Sequence, residues 1–394
     1  MLKGNKTLFI VALIAIVNAL GYGIIIPILY TYSQRFGLTV FQNGLLFTTF
    51  SLCQFVSAPF IGRLSDKYGR RPTLTVSIAG TALSFFTMAF APSIFYLFLA
   101  RIIDGVTAGN FPVLSAVISD TLEPKDRAKG FGVVGAAFGF GFVFGPAISA
   151  LTFGINPALP FLISGIITVI ATIMTWMLLP ETNKHMGQVE HKHMFDFSGL
   201  YHALFDHNVN LLLIIGLVYS LVFSAYITIF QPYANNVLHY TGTQLSLFFT
   251  GIGVIGIITQ VALIGRFTKW FGPRLLYSLS LFSSILVFLG MYASGRGVIF
   301  VLFGLLFALV NSFISPLTQT LLSNETDDKS QGSMQGISAS YASIGQIIGP
   351  IIGGFMASLS LSVPFLGIAG LALLCFLISL GIHKPKVRVH AFEK

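Results

Sequence analysis

The stretch GRLSDKYGRR, Gly62 to Arg71, returns 203 residues later as GRFTKWFGPR, Gly265 to Arg274. Each copy is a short polar break between two long apolar runs. With an offset of 204, GQIIGPIIGG (345–354) falls on GFVFGPAISA (141–150), and Pro316 falls on Pro112. A repeat on this scale means that the chain builds one plan twice, and missing it would misread the fold.

Outward from these breaks the chain is apolar. It has 394 residues, 55% hydrophobic and only 9% charged, which excludes an ordinary soluble domain. A bilayer core about 30 Å thick takes about 20 apolar residues per helix. Runs of that length predict twelve membrane-spanning helices at 8–30, 42–61, 73–91, 94–118, 129–152, 158–179, 209–231, 242–264, 274–293, 298–322, 333–358 and 363–382. Cys53 and Cys375 both fall inside predicted spans and imply packing, not a disulfide framework. The first run is too long for a secretory signal and is expected to remain as the first helix.

The net charge of +9 does not call for a nucleic acid. With both termini in the cytosol, all but three of the 22 Lys and Arg residues fall on the cytosolic side. Arg35 and Arg296 lie outside, and Arg101 lies within a helix. The asymmetry is the positive-inside rule. Two halves of six spans in the same orientation predict two bundles related by an axis along the membrane normal, with a substrate site between them near mid-depth.

The domain division expected is 1–180 for the first bundle, 181–207 for a cytoplasmic linker and 208–394 for the second bundle. The linker holds His185, His191, His193, His202 and His207, without a regular ligand spacing, so no metal site is expected. Phe197, Leu200, Tyr201, Leu204 and Phe205 recur at helical spacing, as in a helix lying on the membrane surface.

Gly62, Asp66, Lys67, Gly69, Arg70 and Arg71 complete a pattern that resembles the signature loop of the major facilitator superfamily. Glycine permits a tight turn, and Asp66 among Arg63, Lys67, Arg70 and Arg71 can form a charge network. The resemblance implies that this network latches the bundles together when the transporter is open to the outside. In the second copy Lys269 replaces the Asp and Pro273 the first of the two Arg, so only the first copy should latch fully.

Gly132, Gly141, Gly145 and Pro146 in the fifth span resemble the antiporter motif of drug:proton antiporters. Small residues four apart let a neighbouring helix approach, and the proline allows a kink. The family's closing Gly-Gly is Ser149-Ala150 here, whereas the eleventh span keeps Gly353-Gly354. Close packing alone would select the same residues.

RIIDGVTAG, Arg101 to Gly109, resembles a third signature of the family, whose Arg is linked to proton transfer. A charge at a bilayer centre costs roughly 2.5 to 3.5 kcal/mol on insertion scales, so such residues are paired and functional by default. Arg101 and Asp104 stand at i and i+3, on one helix face. Two readings stand side by side. The pair is a permanent structural ion pair, or Asp104 is a proton carrier that keeps its charge while Arg101 is close and takes a proton when Arg101 leaves. Asp104 is the one acidic residue placed inside any predicted span.

The first helix, VNALGYGIIIPIL, is similar to tetracycline exporters except that Asn18 stands where an acid is usual. Asn18 cannot carry a proton, which moves that burden to Asp104 or a loop acid, or implies uniport or another coupling ion. Asn18, Tyr22, Asn110, Tyr226 and Asn311 are the substrate-cavity candidates that the family implies. GIGVIG (251–256) lies inside an apolar run and not at a strand-to-helix turn, and no phosphate-binding Gly-Lys-Ser/Thr loop is present, so an ion gradient is the expected energy source. The sequons at Asn5 and Asn324 fall on the expected cytosolic side.

The whole chain is thus similar to the twelve-helix drug:proton antiporter-1 group, tetracycline exporters included. The resemblance implies an all-helical transporter, without cofactor or catalytic residues, that performs multidrug efflux and confers antibiotic resistance. Its expected partners are a hydrophobic or amphipathic small molecule, protons and membrane lipid, and it is expected as a monomer in the inner membrane. A proton-coupled uptake permease and a non-transporting receptor or scaffold are the alternatives.

Overall fold

The computed structural model describes residues 2–123, 127–183, 207–294, 297–325 and 331–382. Among them it is helical, with no strand. The first half comprises α1 (Leu2–Gln34), α2 (Val40–Tyr68), α3 (Arg70–Ala89), α4 (Ile94–Thr107), α5 (Phe111–Thr121), α6 (Arg127–Thr152) and α7 (Leu159–Leu178). The second comprises α8 (His207–Asn236), α9 (Gly242–Ile258), α10 (Ile264–Phe271), α11 (Pro273–Ser294), α12 (Val298–Glu325), α13 (Gln331–Leu359) and α14 (Val363–Ser379). α4 and α5 together make one crossing, and α9 and α10 make another through a π-helical turn at Thr259–Leu263. The result is twelve crossings in two pseudo-symmetric six-helix bundles. The expected surface helix, with its aromatic residues and His185, His191, His193 and His202, lies outside the described residues.

Local chemistry repeats with the sequence. α2 and α9 both open with a reciprocal capping box. The Thr39 hydroxyl accepts the Gln42 N–H at 3.3 Å while the Gln42 side chain accepts the Thr39 N–H at 2.9 Å. Thr241 and Gln244 repeat both bonds at the same distances.

The loops are tighter than hydropathy implied. The expected break at 62–72 is a single residue, Gly69, at φ 104° and ψ 156°, because α2 runs on to Tyr68 and α3 starts at Arg70. That conformation is open essentially to glycine alone. Gly62, expected in the turn, is inside α2, and a side chain there would meet open space.

Helices in lipid gain little from hydrophobic burial against one another, so close packing takes over. α6 lies on α1 backbone to backbone: a Cβ on Gly145 would sit 2.9 Å from the Gly23 Cα. α13 lies on α8 in the same way, with Gly349 against the Leu221 carbonyl and Gly353 against Ala225.

The halves meet mainly along two seams, α2 with α13 and α6 with α9, with smaller contacts of α1 on α8 and α9. Gly44 rests on the Pro350 carbonyl, the Thr48 hydroxyl donates to the Ile347 carbonyl at 3.1 Å, and Gly253 rests on the Phe142 carbonyl. These contacts lie from mid-depth toward the end that carries the α1–α2 connection. At the opposite end, side chains added at Gly62, Gly132, Gly265 and Gly336 would meet nothing within 4 Å.

Candidate functional site

The fourth crossing, expected as one helix over 94–118, is broken at Ala108–Asn110. Pro112 has no N–H to give the carbonyl four residues back, which is that of Ala108. Side chains from neighbouring helices serve the carbonyls freed around the break. Gln54 Nε2 donates to the Ala108 oxygen at 3.2 Å and Ser57 to the Gly105 oxygen at 3.2 Å, while Ser77 donates to the Thr107 oxygen. Gly105 and Gly109 let α4 press onto α2, where added side chains would strike the Phe50 carbonyl and Ser57.

One turn before the break, Arg101 Nη2 donates to Asp104 Oδ2 at 2.7 Å, with both residues buried. The spacing that put them on one helix face has become a contact. The Arg101 guanidinium also lies over the Phe50 ring at 5.2 Å, and its Nε has no hydrogen-bond partner. Removing either member of a buried ion pair leaves an uncompensated charge, a cost of about 3–5 kcal/mol.

The pair lines a cavity of about 90 Å³ together with Asn18, Tyr22, Gln54 and Asn110. Asn18 donates to the Asn110 carbonyl oxygen at 2.9 Å, and Asn110 donates to the Ser77 hydroxyl at 2.8 Å. Tyr22 donates to Gln54 Oε1 at 3.2 Å and packs edge-on against Phe50. Every lining residue belongs to the first half. Drug-sized ligands occupy pockets of roughly 300–1,000 Å³, so this chamber is of the size for a few small polar molecules.

Two expected cavity residues lie elsewhere. Tyr226 is packed into the second half's aromatic core, with ring centroids 4.5 Å from Phe307, 5.4 Å from Phe230 and 5.9 Å from Phe288. Its face of α8 turns toward α11 and α12. Asn311 accepts a hydrogen bond from the Tyr219 hydroxyl at 3.1 Å and is likewise outside the cavity lining. Gln54 and Thr81, which do line the cavity, escaped the sequence reading because neither stands in a recognised motif.

A second charged cluster surrounds Gly69. Arg70 Nη1 bonds Asp66 at 2.5 Å and the Ser65 hydroxyl at 2.6 Å, and its Nε bonds Asp120 at 3.1 Å. Glu181 accepts the N–H groups of Arg70 and Arg71 at 2.9 and 3.1 Å, placing a carboxylate at the α3 N-terminus, where the helix dipole favours it. Asn183 donates to the Asp66 carbonyl at 3.0 Å. Lys67 and Arg71 stand apart from the acid, over the rings of Tyr68 at 5.0 Å and Trp176 at 4.6 Å. Asp120 and Glu181 are far from this turn in sequence, and no spacing pointed to them. In the second copy Arg274 lies 3.7 Å from Glu325, a looser pair.

Of the glycine motif in α6, Gly141 faces Ala19 and Leu20, Gly145 faces Gly23, and the Pro146 ring would meet a side chain on Gly23. Gly132 takes no part in this contact, because a side chain added there would meet no other part of the described protein within 4 Å. Ser149, which replaces a family glycine, donates to the Ile24 carbonyl at 3.1 Å, so the departure adds a bond to the same interface.

The sequence pattern described as Major Facilitator Superfamily matches residues 11–294 and again 212–393. The chain is 28% identical to the class B tetracycline resistance protein of Escherichia coli, over 96% of each chain. It is 28% identical to the quinolone resistance protein NorA of Staphylococcus aureus, over 94% of each. Its fold is similar to the crystal structure of a bacterial homolog to the human lysosomal transporter Spinster, with a TM-score of 0.79 and 16% identity, covering 96% of this chain and 98% of that one.

Proposed function

The chain belongs to the major facilitator superfamily and is a multi-pass membrane transporter related to drug-efflux pumps, not an enzyme; on that premise we propose that it exports hydrophobic or amphipathic small molecules in exchange for protons. The observation that carries this reading is the Arg101–Asp104 pair, buried yet in the wall of a cavity. A carboxylate that loses its cation in a low-dielectric wall is more stable as the neutral acid. Because both residues stand on α4, a change of Arg101 rotamer, given room by movement of α4 against Phe50 of α2, would separate the pair, and Asp104 would accept a proton at Oδ2. Return of the guanidinium would expel it.

The bundles, at 1–180 and 208–394 with 181–207 as the linker, rock about the two seams. With both termini in the cytosol of an inner membrane, the closed end faces outward and this conformer opens inward. The cluster at Gly69 fits that state: among the described residues Asp66 and Asp120 belong to the first half and Glu181 opens the linker, so none of these named partners ties it to the second half. The substrate occupies the space between halves, while the small chamber serves the coupling proton. One proton crossing down 100 mV supplies about 2.3 kcal/mol, enough to drive export without ATP. The protein acts as a monomer.

The test is flux in proton-loaded everted vesicles. Adding substrate is expected to raise luminal pH in the wild type and to leave it unchanged in Asp104→Asn. If export continues in the presence of an uncoupler, and in Asp104→Asn and Arg101→Ala at normal expression, Asp104 is not the carrier. Acidification in place of alkalinisation would reverse the direction to uptake.

A further inference from the structure

Gln231 belongs to neither cluster. It precedes Pro232 on α8, is fully buried, and reaches across to the other half, where its Oε1 accepts the Tyr30 N–H at 2.9 Å. Its Nε2 is buried without a hydrogen-bond partner. Asn236 Nδ2 crosses the same gap to donate to the Tyr30 hydroxyl at 2.9 Å, and Gln34 Nε2 donates to that hydroxyl from one turn along α1, also at 2.9 Å. Pro27 stands three residues before Tyr30 and Pro232 directly follows Gln231, so this cluster sits where both helices lack a backbone donor.

We propose that Tyr30, Gln231 and Asn236 form a polar latch that sets the population of the conformer closed at this end, with Gln231 as its positioning residue. This rests on the alternating-access reading above. Elsewhere the described seams are mostly glycine against backbone and apolar contact, which carry little directional preference, with the Thr48 hydroxyl on the Ile347 carbonyl as a single side-chain bond to backbone. Here three side chains define one register. The latch is also self-limiting. The Tyr30 hydroxyl, accepting from two amides, favours closure, whereas the half-used Gln231 amide opposes it, because a buried donor without a partner is satisfied once the halves part and water enters.

The opposing signs provide the test. Spin labels at Ile155→Cys and Leu359→Cys, 77% and 74% exposed and one on each half at this end, report its width by pulsed electron–electron distances. Cys53 and Cys375 are replaced by alanine in that background. Tyr30→Phe and Asn236→Ala are each expected to raise the ratio of long to short separations roughly threefold to tenfold, as loss of one net hydrogen bond implies. Gln231→Met removes the Tyr30 N–H acceptor together with the unpaired donor, two effects of opposite sign, and is expected to shift the ratio less than Tyr30→Phe or Asn236→Ala does. If the ratio stays put in Tyr30→Phe and Asn236→Ala, or if Gln231→Met raises it more than either, the latch is refuted. Should Tyr30→Phe fail to fold, Asn236→Ala carries its arm. The readout needs neither substrate nor proton gradient, so failure of coupled export and failure of the latch are told apart.

Discussion

Gln54 Nε2 lies 3.2 Å from the Ala108 carbonyl oxygen, the one acceptor in the fourth crossing that Pro112 leaves without its helical amide. The same side chain receives the Tyr22 hydroxyl at 3.2 Å. One glutamine therefore closes a helix break and holds an aromatic residue on the wall that carries Arg101 and Asp104.

Gln54→Leu should leave the Ala108 carbonyl unpaired, at a cost of about 1–3 kcal/mol, and lower the unfolding midpoint in detergent. Pro112→Ala restores the missing amide and should reduce that cost. A double-mutant cycle on thermal stability measures the coupling, and strict additivity would show that Gln54 does not serve this carbonyl.

Arg101→Met is expected to destabilise by about 3–5 kcal/mol, because Asp104 would be left buried and alone. Arg101→Met combined with Asp104→Leu should regain most of that stability and remain without coupled transport. Melting curves beside vesicle flux separate the two roles. Full activity in the stable double variant would make the pair structural only.

Gly69→Ala should cost about 1–3 kcal/mol, since φ 104° with ψ 156° strains any side chain. Gly62→Ala, inside α2 with space around it, should stabilise by up to about 1 kcal/mol. Comparing the two midpoints decides which glycine of the motif makes the turn.

Gly145→Val should impair both folding and export, because its Cβ would lie 2.9 Å from the Gly23 Cα. Gly132→Ala, inside α6 with space around it, should impair neither and should stabilise by up to about 1 kcal/mol, as at Gly62. Equal losses at the two positions would mean that the motif acts through something other than the α1–α6 contact.

Much of this architecture was legible before any coordinates. A membrane helix satisfies nearly all its backbone hydrogen bonds within itself, so apolar length alone marks a span, and the repeat of Gly62–Arg71 at Gly265–Arg274 announced two halves. The contact of Arg101 with Asp104 was legible for the same reason, since three residues along a helix is a local distance. Rotation of one helix against another is not local. Tyr226 faces its own bundle because α11 and α12 pack there, Asn311 of α12 meets Tyr219 of α8, and Gln54, Asp120 and Glu181 reach their partners only once distant segments are laid side by side. Sequence by itself thus determined how many helices cross and which charges share a face, through bonds and spacings internal to each helix. Which side of each helix meets the cavity, and which end of the protein is closed, were decided by packing between helices, where small residues and kinks set the approach.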